Sequence, residues 1–130
     1  MKKIMFVIAL FFSFTLSAMD HQGVFFKNLK DGQTVSKEVT IEFGVKGMDV
    51  RPAGKLKDGT GHFHLIIDKE PAAKGKVVPA DEHHIHYGKG QKQDAVTLEP
   101  GKRQLTLQFA DGAHRSLGKK WTQTITVNVK

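Results

Sequence analysis

The feature that most constrains this chain is a period-two alternation of apolar and polar residues, repeated in short runs. In Val39-Thr40-Ile41-Glu42-Phe43-Gly44-Val45 every second residue is a large apolar one. Successive side chains of a strand point to opposite faces, so such a run buries one face and wets the other. Leu105, Leu107 and Phe109 alternate in the same way with Thr106 and Gln108, and Ile125, Val127 and Val129 alternate with Thr124, Thr126 and Asn128. No long helical period competes with them. Shorter runs occupy residues 24–29, 61–68, 83–87 and the stretch around Ala95, Val96 and Leu98, and the turn pairs Asp31-Gly32, Pro100-Gly101 and Asp111-Gly112 punctuate the series. About seven strands in about 110 residues is the strand number and size of an immunoglobulin-like antiparallel β-sandwich, an all-β fold. Residues 47–57, interrupted by Pro52 and Gly54, are restricted to an edge strand or a loop. Residues 69–82, with Pro71, Gly75 and Pro79, form a long connection of the kind that is usually functional or mobile.

The chain opens differently. Lys2 and Lys3 precede an apolar run from Ile4 to Leu16 that only Ser13 and Thr15 interrupt, and Ser17 and Ala18 lead into polar sequence at Asp20. This is the pattern of a cleavable signal peptide over residues 1–18, cut after Ser17 or Ala18, and it directs the product to the periplasm or outside the cell. The run falls short of the roughly 20 apolar residues that span a bilayer, so no stable membrane insertion is expected after cleavage. Residues 19–130 then form a single domain. There is no cysteine, which excludes disulfides and a cysteine-linked lipid anchor, so the core must hold the fold unaided. Loss of Lys2 and Lys3 takes the formal net charge from +7 to +5. The lysines are dispersed along the chain, a pattern that suits a solvated surface in loose contact with an anionic cell-envelope component and not a nucleic-acid footprint.

Histidine placement carries the chemistry. Of seven histidines, five lie between positions 62 and 86, and His62/His64 and His84/His86 are each two residues apart. On a strand, residues i and i+2 share a face about 6.6 Å apart, so two such pairs could converge on one ion. Neutral imidazole suits copper and zinc, and nitrogen with carboxylate, in the absence of thiolate, favours Cu(II), Zn(II) or Ni(II) over Cu(I). Asp68, on the same nominal face as the first pair, and His114, in the turn before the last strand, are candidate additional ligands or groups that orient an imidazole. Four or five rings around one ion would be crowded, so a shell of three with an open or orienting fourth position is expected. Cleavage after Ala18 would add a second arrangement, Met19-Asp20-His21 at a free amino terminus, with square-planar nitrogen donors for Cu(II) or Ni(II). The competing reading is that the histidines are wet polar positions on two strands.

No catalytic residue is assigned. Ser36 and Ser116 are the only serines after residue 18, and neither sits in a nucleophile elbow. Asp81, Glu82 and His83 adjoin one another, but neighbours on an extended chain face opposite ways. Gly88-Lys89-Gly90-Gln91 lacks the spacing and the following helix of a phosphate-binding loop.

The stretches Gly61-His62-Phe63-His64-Leu65-Ile66-Ile67-Asp68 and His83-His84-Ile85-His86-Tyr87-Gly88-Lys89-Gly90-Gln91 resemble a bacterial family of exported domains of unknown function, DUF4399. Pro100-Gly101 ahead of the Leu105 run, and Asp31-Gly32-Gln33-Thr34-Val35 near the start, share that resemblance, which covers nearly the whole chain after residue 18. His62, His64, His84 and His86 match the family pattern. Phe63 stands where many members carry another histidine, and Arg115-Ser116-Leu117-Gly118 lacks the proline- and histidine-containing segment usual there, which sets His114 apart from those four. The resemblance implies no established activity. Together the features lead to the expectation of a small periplasmic or secreted protein that coordinates Cu(II) or Zn(II), the alternative being an envelope-interaction or adhesion module with no metal.

Overall fold

Alternation in the sequence becomes alternation in space. The computed structural model describes residues 23–130, so the expected signal peptide, its expected cut site and His21 lie outside the described residues. The strands are β1 (Gly23–Phe26), β2 (Thr34–Val35), β3 (Glu38–Lys46), β4 (Asp49–Val50), β5 (Thr60–Ile67), β6 (His84–His86), β7 (Gln93–Thr97), β8 (Gly101–Ala110) and β9 (Thr122–Val129), with a single 3₁₀ turn at Lys119–Trp121 before the last. A three-stranded sheet runs β1-β3-β7, and a larger sheet runs β2-β9-β8-β5-β4, with β6 also paired to β5. No helix among the described residues is long and apolar enough to cross a membrane.

The two sheets face each other as a sandwich. From the larger sheet Phe63, Leu65, Leu105, Leu107 and Phe109 enter one core with Phe26, Ile41 and Phe43 of the smaller. The Phe43 ring lies 5.3 Å from Phe63 and 4.7 Å from Tyr87, and Phe63 lies 5.0 Å from Phe109. These tilted and edge-on contacts are the geometry that ring quadrupoles favour.

Two features depart from the sequence reading. The expected seven strands are joined by β2, and by β4 within the stretch read as an edge strand or a loop, each two residues long and too short for any alternation to register. Both also pair in parallel, β2 with β9 and β4 with β5, whereas an antiparallel fold was expected throughout. These short segments cap sheet edges that would otherwise present unpaired backbone groups.

The outer face of the larger sheet matters more for function. His62, His64 and Ile66 alternate with Phe63, Leu65 and Ile67 and so point away from the sandwich core, yet all three are buried. The connection between β5 and β6 covers them. Gln108 on β8, directly opposite His64, donates its amide to the Ala72 carbonyl at 2.9 Å and accepts the Ala72 N–H at 3.1 Å. Farther along, Gly75 N–H donates to Ser116 O, Ser116 N–H to Lys76 O and Val78 N–H to His114 O, each at 2.8 Å. Residues 68–82 thus form a strap, zipped to the segment after β8, that turns a would-be solvent face into a second interior. A Gln108→Ala substitution should leave the Ala72 amide and carbonyl without partners and cost about 1–3 kcal/mol. Urea unfolding checks the cost, and amide exchange at Ala72 and Gly75 should accelerate more than exchange in β9.

Candidate metal centre

Four imidazoles from three chain segments meet on that covered face. His62 and His64 come from β5, His86 from β6, and His114 from the turn after β8, and their candidate ligand nitrogens all lie within 4.8 Å of one another. The four histidines are therefore close enough to hold a metal ion. His62 Nε2 is the hub. It lies 2.9 Å from His64 Nε2, 3.2 Å from His86 Nε2 and 3.2 Å from His114 Nδ1. Two nitrogens on one ion with bonds of about 2.05 Å are about 2.9 Å apart at a right angle and about 3.3 Å apart at the tetrahedral angle. All three separations fall in that range.

Local structure explains each placement. Antiparallel pairing sets His86 directly across from His64, and His62 shares their face two residues along. Gly88 leaves room for His86, since a Cβ at that position would run into the His86 imidazole. His114 has φ 64°, left-handed backbone that a non-glycine residue adopts at a cost of about 1 kcal/mol or more. The Asp111 carboxylate organises that turn: Oδ1 accepts the amides of Ala113 and Arg115 at 2.9 and 3.0 Å, and Oδ2 accepts Arg115 Nε at 3.1 Å. The His114 N–H in turn donates to Asp111 O at 2.9 Å. The reversal brings the His114 ring back over the sheet.

Burial fixes the charge state. His62 and His64 are 0% and 1% exposed. Desolvation, reinforced by the like charges of His86 and His114, lowers His62 from 6.5 to about 4, with Asp111 opposing the shift. His64 falls to about 3 for the same first reason, with His62, His86, His114 and His84 adding repulsion. Desolvation and His114 lower His86 as well. Near neutral pH His62, His64 and His86 are therefore uncharged imidazoles. A neutral imidazole nitrogen has one lone pair or one proton, so His62 Nε2 cannot form good hydrogen bonds to three neighbouring nitrogens at once. Nδ1 of His62 and Nδ1 of His64 are also buried without a partner. Neither ring has the carbonyl or carboxylate acceptor that commonly orients a ligand histidine. Their rings pack against each other and against His86 and His114 instead.

The expected His84/His86 pair divides. His84 shares a face with His86 but lies opposite Ile66, one step farther from His62 along the sheet, and its Nδ1 sits 2.6 Å from Asp81 Oδ1. It is not part of the four-nitrogen group. Asp68 is also outside it. The strand ends at Ile67, and φ 57° at Asp68 breaks the alternation that would have aimed its carboxylate at the histidines. Instead Asp68 accepts the Gln104 N–H at 2.9 Å and Arg103 Nη1 at 2.8 Å, tying the end of β5 to β8. His114, which the sequence set apart from the matching four, takes the fourth corner. Its signal in the sequence was the Asp111-Gly112 turn, which ends β8 but does not disclose where the following ring points.

A family model described as a domain of unknown function, DUF4399, matches residues 41–130, a segment that contains all four clustered histidines. The chain belongs to that family. No curated protein and no solved structure matches it. In this DUF4399 domain the family segment opens within β3 and runs to the last residue, so it includes the strap, the Asp111 turn and every strand of the larger sheet except β2.

The titration of the cluster has a readable sign. Unfolded histidines titrate near 6.5, and His62 and His64 in the fold near 4 and 3. Between those values the unfolded chain binds more protons, so the stability of the metal-free fold rises with pH across that interval. It should be fully present above pH 6.5, decline as pH falls toward about 3, and lose nothing more through these two groups below that. Urea midpoints in the presence of a chelator at pH 7.5, 5.5 and 4 should fall in that order, and a His64→Gln variant should show a shallower slope.

Proposed function

We propose that this DUF4399 domain binds one divalent transition-metal ion, Cu(II) or Zn(II), through His62, His64, His86 and His114. It would work in the storage, delivery or sensing of that ion, in the periplasm or as a secreted protein. The observation that carries the reading is His62 Nε2, with three other ring nitrogens at 2.9 to 3.2 Å. A cation that accepts four lone pairs satisfies this arrangement, and hydrogen bonding among the rings does not. The donor set is all nitrogen, from a chain without cysteine, which suits these two ions better than Cu(I). Export rests on the pattern of Lys2, Lys3 and the apolar run ending at Leu16. Two ligands and the strap that covers them belong to rigid strands and zipped backbone, a setting suited to holding an ion in fixed geometry.

Calorimetric titration of the exported form with Cu(II) and Zn(II) tests this, using protein purified without an affinity tag and carrying His21→Ala to silence any amino-terminal site. We expect one ion per chain. His86→Ala should weaken binding by about 100-fold, and His84→Ala should leave it within about threefold, because His84 is held by Asp81. Gly88→Ala, which crowds the His86 ring while keeping every ligand, should weaken it about 10- to 100-fold. Equal affinity in wild type and His86→Ala, or no binding by a folded wild type, would sink the proposal in favour of a metal-independent envelope module.

A further inference from the structure

We infer that a divalent ion held by these four histidines keeps an exchangeable position on its His86 and His114 side and binds a small inorganic anion there. The inference rests on the metal reading above and concerns the charge and the openness of the same site. Each of the four ligands is a neutral imidazole when it donates a lone pair, so the ion retains its full double charge. A buried or half-buried charge of that size calls for a compensating partner. The chain does not supply one: among the described residues no carboxylate belongs to the group. Asp111, the carboxylate whose field reaches His62, is already engaged by the amides of Ala113 and Arg115 and paired with the Arg115 guanidinium. Asp81 is held by His84. An anion from solution is the remaining source of negative charge.

Geometry indicates where it would bind. His62 and His64 form a closed floor, while His86 is exposed and His114 half-buried, so the approach from solvent lies on their side. Three close separations, of 2.9 to 3.2 Å, converge on His62 Nε2. With His62 and His64 closed off and the other two ligands open to solvent, a further ligand would reach the ion from the His86 and His114 side. The rim is positively charged as well. The loop after β4 is tied to both exposed ligand segments: Ala53 N–H donates to Gly88 O and Gly54 N–H to Gly112 O, each at 2.9 Å. Gly88 lies two residues after His86, and Gly112 two before His114. Between β4 and β5 this loop, residues 51–59, exposes Arg51, Lys55 and Lys57 against one acidic residue, Asp58, and so carries a net positive charge. Such a rim raises the local concentration of anions at low ionic strength.

Azide is a suitable probe, because an azide bound to Cu(II) adds a charge-transfer absorption band and alters the electron paramagnetic resonance spectrum. The exported protein with His21→Ala is first loaded with one equivalent of Cu(II) and its loading measured. Failure to load counts against the metal reading itself. With copper loaded, titrated azide should give a saturable new band, and bicarbonate or chloride should compete for the site. A loaded protein whose spectra do not change in azide has a closed shell, and the anion inference is then overturned while the metal reading stands. The Arg51→Ala/Lys55→Ala/Lys57→Ala variant should load copper equally but bind azide about tenfold more weakly at low ionic strength, with the difference vanishing in high salt. An unchanged azide affinity in that variant would remove the loop from the account.

Discussion

The two hydrogen bonds between the Gln108 side chain and the Ala72 backbone fix the character of this molecule. A sandwich of this size ordinarily has one interior, between its sheets, and wets the outer face of each. Here the amide of Gln108 replaces water for one turn of the connection between β5 and β6, and the ladder through Gly75, Lys76 and Val78 continues the attachment. His62 and His64 are dry because of it. Their neutrality, their unpartnered Nδ1 atoms and their reluctance to take protons follow from that dryness and not from the strand that carries them.

The scaffold was legible in the sequence because strand alternation is a local property. Val39 to Val45, Leu105 to Phe109 and Ile125 to Val129 declare their buried faces without reference to anything distant. What escaped was non-local. A two-residue strand such as Thr34–Val35 exists only because β9 is beside it, and the parallel pairing of Asp49–Val50 with Thr60 and Gly61 depends on a loop closing back on its own strand.

The site divides along the same line. His62 and His64 could be paired by counting, and His86 follows once β6 is placed against β5. His84 also satisfied the counting rule, but register sets it opposite Ile66, and a carboxylate three residues earlier holds it. Asp68 failed through backbone conformation, since one left-handed residue rotates the side chain out of the strand's alternation. His114 entered by the same device: its own φ of 64° turns the ring toward the cluster. Two left-handed non-glycine residues thus determine one exclusion and one inclusion, and neither can be anticipated from spacing.

The order of the four histidines along the chain has a mechanical consequence. The backbone between His64 and His86 contains the whole strap, and that between His86 and His114 contains β7 and β8. An ion joining the four nitrogens would therefore be a cross-link closing two successive long loops, one of which reaches from the larger sheet to the smaller and back. Cross-links that close long loops act chiefly on the unfolded chain, by removing conformations it could otherwise explore. In a protein with no cysteine, loading and unloading the ion would tighten and release the fold as a disulfide does, but reversibly and without a change of redox state.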